Sequence, residues 1–332
     1  MSKGKVEYGG ADLAHFYKKI YECSADRKFD IGYTWLTQLF SSWSNCNAEI
    51  SFIFELIFIV LVLATLHFVM FKFVKKSDSK RFILAVITGI LLYSYFITGT
   101  KQYIGSLFFF ILCACQLKNR SVLRPSLIAG MLSSVMHVTS SLATLSFLAI
   151  KPFQDLYMKH PKRLFLLANC FIILIILTVA YFVESYTGVK GTYLQKFNSY
   201  TAVGKKEFIS FSTINLIKFT VLTIWVTFCL RLSLRKADRV LCLLSLNFLF
   251  WIVIIIFANF IGFIGYLTSA RLIAIPTTAF LIFSSINSNN TVSRLSFLMF
   301  NVLNIKAFID YINYDSNTVL PIEVILFSFW GV

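Results

Sequence analysis

Residues 98–145 read TGTKQYIGSLFFFILCACQLKNRSVLRPSLIAGMLSSVMHVTSSLATL, and this stretch decides the fold class. Most of it is apolar enough to lie in a bilayer, yet it holds Lys101 and Gln102 near its start and His137 between two apolar runs. A charged side chain at membrane depth costs roughly 3 kcal/mol on insertion scales, so such residues usually face a cavity or a polar partner. We therefore expect the chemistry of this chain to lie in this stretch.

The composition of the whole chain points the same way. Of its 332 residues, 58% are hydrophobic and 14% are charged, whereas soluble domains carry about 25% charged residues. The formal net charge of +16 would suggest nucleic acid for a soluble protein, but here the basic residues fall in short loops and set membrane orientation. The sequence predicts an all-α polytopic integral membrane protein, a single membrane domain over residues 1–332 with no soluble domain and no nucleic-acid partner.

Apolar runs of about 15–22 residues predict the membrane spans. They lie at residues 50–71, 82–98, 103–117, 164–183, 209–230, 240–258, 270–286 and 295–311. The stretch 125–150 reads either as one long span or as two short ones that meet near His137.

The charge of the loops decides between these two readings. Loops 72–81, 118–124, 151–163 and 231–239 hold five, three, four and four of the 31 Lys and Arg residues. The positive-inside rule places all four loops in the cytoplasm. Two of them flank 125–150, so this stretch is predicted to turn back as a hairpin of two short helices with His137 near its tip. Arms of about 13 residues reach only about 20 Å, which predicts a tip at the floor of an outward-facing cavity.

With that hairpin the chain has about ten transmembrane or half-membrane helices, and both termini face outward. Residues 1–49 become an external N-terminal segment and residues 184–207 an external loop. Two interpretations of the basic N-terminal segment compete: it is cytoplasmic and a span has been miscounted, or a first helix that should precede it is missing. An external position permits a disulfide between Cys23 and Cys46, and two free thiols are the alternative.

Motifs of common enzyme classes are absent from the sequence. It contains no Walker A element, no G-x-S-x-G, no H-E-x-x-H and no G-x-G-x-x-G. Its four His residues are too scattered for an obvious metal cluster. Cys113 and Cys115 lie inside an apolar span, where packing is the simpler role. We expect neither a metal nor a cofactor.

The short motifs that remain resemble a known family. Gly99-Thr100-Lys101-Gln102, followed by apolar runs and His137-Val138-Thr139-Ser140, resembles the G-x-R-Q and H-x-S core of the EpsG-like branch of the Wzy-type polysaccharide (O-antigen) polymerases. Gly10-Ala11-Asp12 with Tyr17 resembles the family's G-x-D-x-x-x-x-Y, and Asp30-Ile31-Gly32-Tyr33 its acidic-x-G-Y element. Arg271 matches a late Arg of these proteins. The chain departs from the pattern with Lys at position 101 and with Ser one place later.

The resemblance implies a membrane glycosyltransferase of the bacterial cytoplasmic (inner) membrane. Such an enzyme polymerises oligosaccharide repeat units carried on undecaprenyl diphosphate, at the outer face of the membrane, into O-antigen, capsule or exopolysaccharide. Its partners would be these lipid-linked oligosaccharides, the bilayer, a chain-length regulator and a flippase. Family members carry a helix before the G-x-D element, which favours the interpretation that the N-terminal segment lacks a preceding first helix.

The resemblance also assigns roles to residues. Lys101 and Arg271 would hold the diphosphate, His137 would act as general base or phosphate donor, and Asp12 would be a base or a sugar contact. The further substrate-binding candidates are Gln102, Tyr17, Tyr103, Tyr193, Lys218 and Lys306. Each residue also has a plainer interpretation: interfacial snorkelling for the cations, a carbonyl-bonded buried side chain for His137, and interfacial anchoring for the tyrosines.

Two other classes stay open. A membrane O-acyltransferase that modifies surface glycans would also combine many helices with a catalytic His, but its key Arg and His should be reachable from the cytoplasm. A lipid-linked sugar flippase would show a duplicated helix bundle, and no duplication is visible in the sequence.

Overall fold

The computed structural model describes residue 23, residues 31–73, 100–117, 123–160, 213–236, 238–260, 266–287 and 291–299, and residue 302. Within these ranges all regular structure is helical and no strand occurs. The all-α part of the prediction is therefore confirmed for the described residues. The predicted spans 82–98 and 164–183, the loop 184–207 and most of span 295–311 lie outside them.

The helices follow the chain in this order. They are α1 (Ile31–Trp43), α2 (Ala48–Phe73), α3 (Thr100–Leu117), α4 (Leu123–Met136), α5 (Val138–Lys159), α6 (Thr213–Lys236), α7 (Arg239–Phe260) and α8 (Tyr266–Asn287), and residues 291–299 are also helical.

The chain divides into two compact units. Unit 1 comprises Met1–Ser141 and Arg294–Val332, and unit 2 comprises Leu142–Ser293. The boundary falls just after the start of α5. The single membrane domain over the whole chain stays a prediction.

In unit 1, α1 and α2 form a tight helical hairpin whose turn is specified by its own sequence. The N–H of Cys46 donates to the carbonyl of Ser41 at 2.7 Å, and Asn45 adopts a left-handed φ of 51°. This is the Schellman ending, in which Asn is one of the few residues other than Gly that tolerate the conformation. Asn47 then caps α2, because its Oδ1 accepts the N–H of Ile50 at 3.2 Å.

A disulfide ties the turn of this hairpin to the preceding chain. Cys23 and Cys46 are joined, with their Cα atoms 5.7 Å apart, so the disulfide permitted by the sequence is present. The helix α1 that it secures lies in the predicted external segment 1–49, for which the sequence predicted no particular secondary structure. The helix forms because Leu36 and Phe40 bury one face against the rest of unit 1.

Loss of this disulfide should destabilise unit 1. Closing a loop across a sequence separation of 23 residues contributes about 3 kcal/mol by loop entropy. We expect a reductant to lower the melting temperature of the detergent-purified protein, and Cys23→Ser/Cys46→Ser to lower it equally while removing the response to reductant. The control replaces the buried free thiols Cys113 and Cys229 with Ala and should still respond. A wild type that is insensitive to reductant would contradict the assignment.

The helix break predicted at His137 is present, whereas the hairpin predicted from it stays a prediction. Helix α4 ends at Met136 and α5 begins at Val138, so two helices meet at His137 as expected. The extent of the second arm was wrong, because α5 is 22 residues long and runs through Pro152 to Lys159. It therefore includes most of what was predicted as loop 151–163.

The same correction applies to the next basic loop. Helix α6 extends to Lys236 and α7 starts at Arg239, so most of the predicted loop 231–239 is helical. Lys and Arg are good helix formers, and their charge marks the end of an apolar run without ending a helix. Helix α6 ends at Lys236, and a new helix begins after Asp238. The Oδ1 atom of Asp238 accepts the N–H of Leu241 at 3.0 Å and so caps α7.

In unit 2, α7 packs against both α6 and α8. Phe248 of α7 and Phe280 of α8 lie with ring centroids 5.2 Å apart. The part of α5 in this unit joins α7 through polar groups, since Trp251 donates its indole N–H to the Ser146 hydroxyl at 2.8 Å. That hydroxyl also lies 3.2 Å from Asn247 Oδ1.

Several helices place polar residues inside and apolar residues outside. On α2, the buried face includes Ser51 and Glu55, whereas Ile53 and Ile57 are exposed. Helix α4 buries Ser126 and Ser133 and exposes Met131, with 67% of that side chain accessible. The remaining strongly exposed apolar residues of α4 are Leu127, Ile128 and Val135. A helix of a soluble protein shows the opposite pattern.

One described helical stretch, Arg239–Ile256, is long and apolar enough to cross a membrane. Shorter apolar stretches lie at Ile53–Leu66, Gln102–Gln116, Ser126–Met136 and Ile275–Ser285. Membrane association is supported to this extent, and the number of spans stays a prediction.

Candidate functional site

The break at His137 is organised by the His137 side chain itself. Its Nδ1 lies 3.2 Å from the backbone nitrogen of Thr139 and 2.7 Å from the Thr139 hydroxyl. His137 is thus the N-cap of α5, doing with an imidazole nitrogen what Asn or Asp does with a side-chain oxygen. Its carbonyl accepts the N–H of Ser141 at 2.9 Å and starts the helix.

This capping geometry fixes the imidazole tautomer. A backbone N–H can only donate, so Nδ1 of His137 must be the acceptor. The neutral ring then carries its proton on Nε2, so Nε2 is the hydrogen-bond donor of this half-buried side chain. The sequence left general base and phosphate donor as alternatives, and this tautomer favours the donor.

Helix α3 packs directly on the break through Gly105. A Cβ atom added at Gly105 would lie 2.9 Å from the Cβ of Ser140 and 3.5 Å from that of Met136. The Ser133 hydroxyl donates to the Gly105 carbonyl at 3.0 Å, and the Ser140 hydroxyl lies 2.7 Å from the Ser133 carbonyl oxygen. These contacts hold α3 against the end of α4 and the start of α5.

The G-x-K-Q and His motifs are therefore neighbours in unit 1. Lys101 and Gln102 lie in the first turn of α3, about one turn before Gly105, and the predicted span 103–117 lies within this helix. Gln102 is buried, and its carbonyl accepts the Ser106 hydroxyl at 2.6 Å. Tyr103 is half-buried on the same helix.

A second polar pair, which was not predicted from the sequence, lies in the same unit. The Tyr33 hydroxyl donates to Oε1 of Glu55 at 3.0 Å, and Glu55 is 0% exposed. Gly32, the residue before Tyr33, packs on Val135 in the last turn of α4, which places this pair near the break. The signal was readable: Glu55 is an acidic residue inside an apolar run, the pattern that singled out Lys101.

The other predicted residues are distributed as follows. Arg271 lies on α8 and Lys218 on α6, both in unit 2. Asp12, Tyr17, Tyr193 and Lys306 lie outside the described residues. The structure thus brings Lys101, Gln102, Tyr103 and His137 together in one unit.

The arrangement in unit 1 is suited to holding an anion. The N-terminal turn of α3, where helix amides and the dipole favour negative charge, lies one turn before Gly105, which packs on the break at His137. Within the described part of the chain, no group of three or more His, Cys, Asp or Glu residues is placed to hold a metal ion. Free thiols at Cys113 and Cys115 are buried in α3, consistent with the packing role predicted for them.

Comparison of the chain with protein-family models, curated proteins and solved structures gives no match in any of the three. The resemblance to the EpsG-like polymerases therefore stays a prediction that rests on the motifs quoted above.

Proposed function

We propose that this chain is a polytopic membrane glycosyltransferase that polymerises polyprenyl-diphosphate-linked oligosaccharide repeat units into a surface polysaccharide. The observation that supports the proposal is the packing of Gly105, one turn after Lys101 and Gln102, on the α4–α5 break at His137. Two motifs 36 positions apart in the sequence thereby come to neighbouring turns of unit 1.

Support for a bilayer environment comes from the polarity of the helix surfaces. Buried Glu55 and Ser133 contrast with exposed Ile57, Met131 and Ile224, the last with 66% of its side chain accessible. Soluble monomers rarely expose such large apolar areas, whereas a lipid-facing surface must be apolar and the backbone within it helical. The orientation predicted from the loop charges would then place the site toward the outer face of a bacterial cytoplasmic membrane.

The reaction places few demands on the protein. An acceptor hydroxyl oxygen forms a bond to the anomeric carbon of the growing chain, and the bond from that carbon to the diphosphate oxygen breaks with its electron pair on the lipid diphosphate. The hydroxyl proton passes to a base, for which Asp12 is the candidate from the sequence. The main barrier lies in the developing charge of the leaving group, which fixed donors and cations stabilise.

Each residue of the site then has a role. Lys101 supplies a point charge to the diphosphate. Arg271, which lies in unit 2, is the second cation predicted from the sequence and can make two parallel hydrogen bonds to a phosphate. His137 donates from Nε2 to a phosphate oxygen while Nδ1 keeps α5 capped. Gln102 and Tyr103 contact substrate, as do Tyr17, Tyr193, Lys218 and Lys306.

Chain elongation in cells provides the test. In a strain deleted for the gene, wild-type protein should restore a ladder of long polysaccharide on a gel. Lys101→Ala and Arg271→Ala should insert normally and leave only single repeat units, a loss of at least about 100-fold in elongation. Lys101→Arg should retain the ladder because the charge is kept.

Matched controls separate site effects from loss of any cation. Lys159→Ala and Arg231→Ala remove exposed basic residues elsewhere and should leave the ladder unchanged. Wild-type protein that restores acylation of a finished glycan, with no effect on its length, would replace the proposal with the O-acyltransferase. Accumulation of repeat units on the cytoplasmic face in the deletion strain would favour the flippase.

A further inference from the structure

Glu55 is the most unusual residue that the proposed mechanism leaves unused. It is a carboxylate on the buried face of an otherwise apolar helix, and it is fully buried. Burying an ionisable group is costly unless hydrogen bonds compensate. Because it is enclosed and its Oε1 accepts the Tyr33 hydroxyl, Glu55 is not placed to touch a substrate. Glu55 can therefore affect the reaction only through the helices that its hydrogen bond fixes in place.

Glu55 fixes helix α1 through its hydrogen bond with Tyr33. At one end of the α1–α2 hairpin, the hydroxyls of Ser44 and Ser51 lie 2.7 Å apart and the disulfide at Cys46 secures the turn. At the other end, the Tyr33–Glu55 bond joins the first turn of α1 to α2. The hairpin is therefore fixed at both ends, and α1 has little freedom to pivot against α2.

Gly32, the residue before Tyr33, connects the α1–α2 hairpin to the candidate site. A Cβ atom added at Gly32 would lie 2.7 Å from Cγ2 of Val135 and 2.9 Å from its carbonyl oxygen. Only glycine permits so close an approach of α1 to the last turn of α4. Val135 is two positions before His137, so a shift of α1 acts directly on the backbone that sets the imidazole.

We propose that α1 is a positioning element for His137, with the Tyr33–Glu55 hydrogen bond and the Gly32–Val135 contact setting where the α4–α5 break lies. Tyr33 and Glu55 are positioning residues. The inference rests on the proposed function for its effect on elongation, but its structural part can be measured without that function.

The direct test is peptide-resolved labelling of histidines with diethyl pyrocarbonate in detergent-purified protein. This reagent attacks an unprotonated imidazole nitrogen, and in His137 that nitrogen is Nδ1, which is engaged with Thr139. Labelling of His137 should be slow in wild type. It should become about fivefold faster in Tyr33→Phe and Glu55→Leu, the change expected when one hydrogen bond that orders the site is lost.

The controls are an exposed His and a buried Tyr in unit 2. His160 is exposed, and its labelling should stay constant in every variant. Tyr157→Phe changes a buried tyrosine and should leave the labelling of His137 unchanged. If a single variant fails to insert, Tyr33→Phe/Glu55→Leu removes both polar partners, which is better tolerated than removing one, and should show the same faster labelling of His137.

Unchanged labelling of His137 would overturn the inference, and so would equal increases at His137 and His160, which indicate general loosening. A selective increase at His137 together with a shortened polysaccharide ladder supports it. A selective increase with no ladder even from wild type would leave the positioning intact and overturn the proposed function instead.

Discussion

His137→Asn should keep the α4–α5 break intact and abolish polymer formation. Asn is among the best N-cap residues, and its side-chain oxygen can accept the Thr139 N–H that Nδ1 of His137 accepts now. It has no group that replaces the Nε2–H donor. Loss of one preorganised donor to a developing anion costs about 100-fold or more in rate, so the ladder should collapse to single repeat units.

His137→Ala is the comparison that makes this result interpretable. Alanine removes both the cap and the donor, so this variant should lose about 1 kcal/mol of stability as well as the ladder. In detergent, the melting temperature of His137→Asn should therefore be close to that of wild type, and that of His137→Ala should be lower. Both variants should be inactive. A normal ladder from His137→Asn would mean that His137 is only a helix cap.

The break at His137 was predictable because charge is a long-range signal. The positive-inside rule predicts that the basic segments 118–124 and 151–163 share one side of the membrane, and this requires a break between them. The charges did not show where the second helix ends, since Lys151 and Lys159 lie within α5. Topology follows from loop charge, whereas helix length depends on propensity and capping.

Helix α1 was missed because its periodicity is hidden. Its buried face mixes Tyr33 and Thr37 with Leu36, while Trp35 is 63% exposed. A pattern with polar residues inside and aromatic residues outside does not register as an amphipathic helix by the usual rule. Only the turn signals at Asn45 and Asn47 mark its end and the start of α2.

The sequence likewise indicated some features of the candidate site and not others. Lys101 and His137 stood out as polar residues in apolar runs, and Glu55 obeys the same rule. The Gly32–Val135 and Gly105–Ser140 contacts could not be read from the chain, because a glycine in an apolar run has many uses. Which partner helix comes close is decided by packing between segments far apart in sequence.

Gly105→Ala should separate α3 from the break and stop elongation. The added Cβ would lie 2.9 Å from the Cβ of Ser140 and closer still to its hydroxyl. That hydroxyl cannot swing aside freely, since it lies 2.7 Å from the Ser133 carbonyl oxygen and 2.8 Å from that of His137. Overpacking of this kind costs about 1–3 kcal/mol, and the displacement falls between Lys101 and His137.

A double variant that places the glycine on α5 instead of α3 should partly restore the contact. In Gly105→Ala/Ser140→Gly the missing Cβ lies on α5, so the helices can approach again, although the Ser140 hydrogen bonds are gone and a helical glycine costs about 1 kcal/mol. We expect single repeat units from Gly105→Ala and a partly restored ladder from the double variant, at equal amounts of inserted protein. Melting temperatures should follow the same order below wild type. A full ladder from Gly105→Ala alone would show that elongation does not depend on the contact between α3 and the break, because a change that forces the two apart would leave the reaction untouched.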